Sequence, residues 1–290
     1  MPTISANGID VFYETHGAGE PLLLVMGINA QLIHWPPELV GRLVDVGFQV
    51  IAFDNRDMGK TTWFEGKRAP STRSLFSRRM LGLPVTTPYT LSDMANDGLG
   101  LLTALGIDSA HVVGASMGGM IAQQMAIQAP ERVRTLTSIM SHTGERRHFA
   151  ADPRALSALM GSTPDNAEDA GERVLQLMRT IGSPGLGRTD DDYRLLGSTA
   201  YTRGFNPPGF KRQLAAIVSS GSRDAGLSRL EIPTLVIHGT VDPLVLPAGG
   251  KHTAAIVPGA KLMLLEGMGH DLPVQKHAEI VAAVQELAGL

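Results

Sequence analysis

Six short apolar runs, each closed by turn residues, recur along the chain: PLLLVMG (Pro21 to Gly27), FQVIAFD (Phe48 to Asp54), AHVVGAS (Ala110 to Ser116), RTLTSIM (Arg134 to Met140), PTLVIHG (Pro233 to Gly239) and AKLMLLEG (Ala260 to Gly267). Runs of this length and composition suit strands buried on both faces, the condition of a parallel sheet. Helical patterns separate most of them, over Pro37 to Val46, Leu91 to Leu105, Met117 to Gln128, about 249–257 and Val274 to Leu287. This alternation of strand and helix predicts a doubly wound α/β sheet. Ahead of it Ile4, Ile9, Val11 and Tyr13 alternate around Asn7-Gly8, a hairpin signal that adds an antiparallel edge.

The alternation stops between about His142 and Arg229, where Arg, Asp, Gly and Pro mix with helical stretches such as AGERVLQLMRTI and FKRQLAAIVSS. The chain therefore divides into a core of residues 1–141 and 229–290 and a helical insertion, 142–228, placed between two core strands. A second irregular segment, Thr62 to Pro88, is basic and proline-punctuated and is expected to cover the same end of the sheet.

A chain of 290 residues with 43% hydrophobic and 18% charged residues belongs with ordinary globular proteins. A net charge of −3 gives no footprint for nucleic acid or an anionic membrane, so a small molecule is the expected partner. No apolar run nears the ~18 residues that span a bilayer, and MPTISANGIDVFYETHG lacks the basic and apolar regions of a secretory signal. A cytoplasmic location is the expectation. With no cysteine and no HExxH-type spacing among nine histidines, no metal and no cofactor is expected.

Two glycine-rich segments resemble phosphate-binding motifs and fail in detail. DNRDMGKT (Asp54 to Thr61) ends like a phosphate-binding loop, but the first glycine of that loop is Asp54, whose carboxylate would repel phosphate. The expected role of Asp54, Arg56 and Asp57 is a hydrogen-bonded turn. GASMGG (Gly114 to Gly119) fits a dinucleotide pattern only with Ser116 where bare backbone must meet a pyrophosphate. The same residues satisfy Gly-x-Ser-x-Gly between a strand and a helix, a turn that exposes a serine hydroxyl beside a helix N-terminus.

A serine hydroxyl needs a base and an acid that orients the base. Asp242, in VIHGTVDPLV, and His270, in LLEGMGHDLP, each follow a predicted strand and come in the chain order serine, acid, histidine. Loops after the carboxyl ends of parallel strands share one edge of a sheet, so the three are expected to meet there. Asp before Pro is also a common turn former, and His270 beside Asp271 also suits an exposed loop. The amides of Met117 and Ile28 are the expected oxyanion donors, with Gly27 freeing the turn. His111 and His238 read as packing or capping residues, and His16, His34, His148, His252 and His277 as surface. His142, just past a strand end, is a candidate pocket residue.

These residues together resemble the α/β-hydrolase superfamily over nearly the whole chain. The carriers are MGIN after the first long strand, DNRDMGKT, LSDMANDGLGLLTALGI, GASMGG, VDPLV and GMGHDLP, with Met26 in place of a usual His and Asp57 in place of a usual Gly. Within it, LLVMG, D-x-RD-x-G and the GMGH ending are similar to cap-bearing serine esterases of the aclacinomycin methylesterase type. The resemblance implies an α/β-hydrolase fold with a mostly parallel eight-stranded sheet, flanking helices and an inserted helical cap. It also implies Ser116 as nucleophile, Asp242 as acid and His270 as base.

The expected activity is cofactor-free hydrolysis of small to medium apolar carboxylic esters through an acyl-enzyme, by a monomer or homodimer. Gly27, Asn29, Trp35 and His142 are expected to touch substrate, and Met160, Leu175, Met178, Leu195, Tyr201 and Phe205 to give the insertion an apolar interior. Two alternatives share the fold: a perhydrolase or haloperoxidase-like enzyme using peroxide in place of water, and a ligand-binding receptor. A serine rather than an aspartate at position 116 argues against dehalogenase and epoxide-hydrolase chemistry.

Overall fold

Asn7 and Gly8 adopt φ of 51° and 75°, the two positive values of a tight hairpin turn. They join β1 (Thr3–Ala6) to β2 (Ile9–His16) in antiparallel pairing. In the computed structural model, which describes residues 2–290, six further strands follow: β3 (Glu20–Val25), β4 (Phe48–Phe53), β5 (Ala110–Ala115), β6 (Val133–Ile139), β7 (Thr234–Gly239) and β8 (Lys261–Leu265). The sheet order is β1-β2-β4-β3-β5-β6-β7-β8. β2 meets β4 antiparallel, and every later pairing is parallel.

Side chains alternate across the sheet, and each face has its own core. Leu23, Val25, Ile51, Phe53 and Val112 point to one side, where α3 (Leu91–Ala104) and α4 (Met117–Gln128) pack. Leu22, Leu24, Val50, Ala52 and Val113 point to the other, against α1 (Pro37–Asp45) and α11 (His277–Ala288), while α10 (Pro247–Ile256) packs by β7 and β8. All six β5 residues are buried, so its position between two helical layers follows from AHVVGA having no polar alternation to spare. Truncating such a fully buried side chain, as in Leu23→Ala, is expected to cost about 2–5 kcal/mol, read as a lowered denaturation midpoint.

Between β6 and β7 the chain forms α5 (Pro153–Met160), α6 (Ala167–Ile181), α7 (Asp190–Gly204), α8 (Pro207–Ser219) and the short α9 (Asp224–Leu227). α6 and α7 start at Asn166 and Thr189, whose side chains accept the amides of Asp169 and Asp192. The basic segment contributes α2 (Thr72–Met80), whose Leu75 packs with Leu214, Ala215 and Val218 of α8. No helix among the described residues is long and apolar enough to cross a membrane.

DNRDMGKT forms no phosphate cradle. Asp54 is fully buried and accepts hydrogen bonds from the amides of Leu32 and Lys60 and from Arg203 Nη1, at 2.8, 3.0 and 2.6 Å. Arg56 binds both oxygens of Asp97. Asp57, at φ 71°, binds Arg212 through both carboxylate oxygens. The turn is hydrogen-bonded as its residues predict, and two of its carboxylates also grip the insertion.

Candidate active site

Gly114, next to last in β5, lies where the backbone of α4 comes close. A Cβ there would stand 2.1 Å from Gly118 O, and a Cβ on Gly118 would stand 1.9 Å from Val25 O. Only glycine fits either position. Gly118→Ala is expected to cost about 1–3 kcal/mol by overpacking, seen as a lower melting temperature. Between them Ser116 sits at φ 56°, ψ −120°, a conformation that costs a non-glycine residue about 1–3 kcal/mol. The strain is held by its amide, which donates to Ile139 O at 2.9 Å, and by its carbonyl, which accepts from Gly119 and Met120.

The hydroxyl of Ser116 lies 3.0 Å from His270 Nε2, and His270 Nδ1 lies 2.7 Å from Asp242 Oδ2. A carboxylate only accepts, so Nδ1 carries the proton and Nε2 is left to accept from the serine. Asp242 Oδ1 takes the amides of Leu244 and Val245, both at 2.9 Å. Asp242-Pro243 is therefore a turn former and a partner for the imidazole at once, one oxygen for each task. His238 Nε2 donates to Val245 O at 2.7 Å and passes 3.6 Å from Asp242 Oδ2; burial lowers its pKa, so it stands beside the carboxylate as a neutral ring.

The loop carrying His270 is clamped by the insertion. Its amide donates to Ile181 O at 2.7 Å, where α6 ends. His270 is buried rather than exposed, and the half-buried Asp271 beside it accepts from Ser183 N and Oγ at 3.1 and 2.5 Å, while Ser183 Oγ accepts from Gly269 N. Burial pushes the Asp271 carboxyl above the usual range, and the Ser183 donors oppose this. The sequence singled out neither Ser183 nor Ile181, since both lie far from His270 along the chain.

Gly27 lies against Ser116: a Cβ on it would approach the serine Cβ to 3.2 Å. Asn29, at φ 57°, donates its amide to Gln213 Oε1, and Gln213 Nε2 donates to Arg56 O. The Ala30 amide turns back to Gly27 O. Among the described residues, the amides of Ile28 and Met117 carry no such bond; Ile28 lines the same space as Ser116, and Met117 follows the serine at the start of α4.

That space is a cavity of about 200 Å³, reached by Ser116 and His270 and walled mostly by apolar groups. Gly27, Ile28 and Asn29 line it from the loop after β3, and Leu159, Val174, Leu177 and Met178 from the insertion. Of the apolar insertion residues, Tyr201 and Phe205 line a smaller neighbouring cavity, Leu175 is wholly buried, Met160 packs beside Leu75, and Leu195 is exposed.

Trp35 and His142 do not line the cavity. The turn Leu32–His34 directs Trp35 into the core beside Leu39, and it is His34 and Pro36 that face the cavity. His34 is thus no surface residue, and burial, reinforced by Arg188 and Arg203, lowers its pKa to about 4. Met140, at φ 42°, takes the cavity position past β6. His142 then turns inward, its ring against Phe149 and its Nδ1 accepting from Gly144 N at 2.9 Å; burial lowers its pKa to about 3. His277, also expected at the surface, is buried and binds Leu272 O.

A strained serine on a strand-to-helix turn thus stands in one hydrogen-bonded line with a histidine and an acid. The model of the alpha/beta hydrolase fold matches residues 20–276. This chain belongs to the α/β-hydrolase family. The hydrolase is 32% identical to rhodomycin D methylesterase DnrP of Streptomyces peucetius, over 98% of its own length and 97% of the relative's. It is 31% identical, with the same coverage, to rhodomycin D methylesterase DauP of Streptomyces sp. strain C5. Among solved structures, the meta-cleavage product hydrolase CumD of Pseudomonas fluorescens IP01 matches with a TM-score of 0.76 at 22% identity, over 100% of this chain and 97% of that one. This last likeness bears on the fold alone.

Proposed function

We propose that this hydrolase is a serine carboxylic-ester hydrolase acting on small to medium apolar esters, methyl esters among them. The observation that carries the reading is the hydrogen-bonded chain Ser116–His270–Asp242 opening on an apolar cavity. The similarity to two methylesterases supports the choice of ester. Ser116 Oγ attacks the ester carbonyl as His270 Nε2 takes its proton, and Asp242 holds the ring and stabilises the imidazolium. The Met117 and Ile28 amides hold the oxyanion. The imidazolium gives its proton to the departing alcohol, water repeats the cycle on the acyl-enzyme, and the helices between β6 and β7 act as a cap that keeps bulk water from the site.

Partitioning tests this directly. With p-nitrophenyl acetate and phenyl acetate in water containing methanol, a shared acyl-enzyme gives one ratio of methyl acetate to acetate whatever the leaving group. A ratio that changes with the leaving group contradicts covalent catalysis. Replacing methanol with hydrogen peroxide measures the perhydrolase alternative as peracetic acid. Turnover of either ester also removes the receptor alternative.

A further inference from the structure

Three arginines of the insertion rest their guanidinium groups on protein acceptors, Arg212 and Arg223 buried and Arg203 partly so, with the Nη2 of Arg203 left without a partner. Arg203 binds Asp54 and Gln31, Arg212 binds Asp57 and Lys67 O, and Arg223 binds Gln123 and His142 O. Two further arginines of the insertion line the cavity beside Ser116 and are not matched in this way. Arg188 has a buried Nη2 with no hydrogen-bond partner. The only carboxylate within ion-pair reach of it among the described residues is Glu38, at 4.0 Å, and that side chain is 60% exposed, so water screens the pair. Arg173 spends Nη2 on Leu159 O at 3.0 Å and pairs with no carboxylate among the described residues.

Both side chains keep some contact with water, that of Arg188 being 25% exposed, but a buried donor with no acceptor is costly, and most of the donors of these two groups are left unused. The other polar groups on the wall do not supply the missing charge. His34 accepts or donates only to Gln31 and is held neutral, and Tyr193 meets the Arg188 amide through its hydroxyl at 3.3 Å. Asp271 is the one acid on the wall, and one of its oxygens is already engaged by Ser183. Two cations against one partly engaged acid leave the cavity short of negative charge.

We infer that the ester taken by this site carries a carboxylate on its apolar body, held by Arg188 and Arg173 while the ester group lies at Ser116. This rests on the proposed esterase reading and adds to it a charged determinant of specificity. Arg–carboxylate pairs are often bidentate, so such a group would fix the substrate's orientation as well as its charge.

Monomethyl esters of adipic, suberic and sebacic acids, set against their dimethyl esters, vary charge at constant length, and acid release in a pH-stat reads the rates. At the best chain length the monomethyl ester is expected to exceed its dimethyl partner in kcat/KM by about tenfold or more, with the difference in KM. Arg188→Met is expected to bring that ratio to within about threefold, and Arg188→Lys to restore part of it. A dimethyl ester equal or superior at every length, or a ratio unmoved in Arg188→Met, overturns the inference. So does a preference for methyl 6-aminohexanoate, which would make Asp271 the reader of a cation. Calorimetric titration of monomethyl suberate into Ser116→Ala keeps the two readings separate. Binding lost with a further Arg188→Met change supports the anion site even if no ester is hydrolysed. Hydrolysis of dimethyl esters without that binding supports the esterase and rejects the anion site.

Discussion

Ser116→Ala is expected to lower kcat for p-nitrophenyl acetate by about 10⁴- to 10⁶-fold while changing KM little and leaving the melting temperature the same or higher. The first effect follows from removing the hydroxyl that lies 3.0 Å from His270 Nε2. The second follows from what surrounds the position. The backbone at 116 is fixed at φ 56° by the amide bond to Ile139 O and by the close approach of Gly114 and Gly118, none of which involves the hydroxyl. His270→Ala is expected to lose about as much, and the double variant little more, because the two act as one unit. An activity within tenfold of the parent in Ser116→Ala would remove the proposed mechanism.

The second large effect is on stability. Arg212→Met is expected to destabilise the protein by about 3–5 kcal/mol, lowering the melting temperature by on the order of 10 °C. Asp57 is wholly buried, with Arg212 on both oxygens, Tyr89 Oη at 2.6 Å and the Phe64 amide at 2.8 Å. Burial alone would raise its pKa, but the donors, Arg212 first, outweigh this and hold the carboxyl below its ordinary range. Removing the guanidinium leaves an uncompensated buried charge that also ties α8 to the loop after β4. Position 57 sits at φ 71°, where glycine is unstrained, so Asp57→Gly in the Arg212→Met background is expected to recover much of the loss. Losses that simply add in the double variant would show that the pair does not couple the insertion to the core.

The core strands and the serine turn are legible because their determinants are local. AHVVGA is short, carries two valines and ends at a glycine-rich turn, which reads as a strand buried on both faces, and Gly114, Ser116 and Gly118 encode a close crossing within five residues. Asp242 and His270 are legible at one remove: each follows a strand, and parallel strands bring their ends to one edge. What is not legible is the clamping of these loops from the insertion. Gln213 on the Asn29 amide, Ser183 on Asp271 and Arg212 on Asp57 are pairings across long sequence separations, set by how helices α6 and α8 dock. A helical pattern reveals a buried face without revealing what lies opposite. Trp35 and His142 failed for a smaller reason. One short turn and one positive φ, at Leu32–His34 and Met140, reverse which neighbour faces the cavity, and sequence adjacency carries no such information.

Whether Ser116 is the nucleophile is tested most directly by treating the protein with a fluorophosphonate and locating the adduct by peptide mass spectrometry. The expected result is a single phosphonylated peptide, modified at Ser116, forming as esterase activity disappears and not forming in His270→Ala on the same timescale. Complete loss of activity with the label on another residue, or full labelling elsewhere with Ser116 untouched, would contradict it.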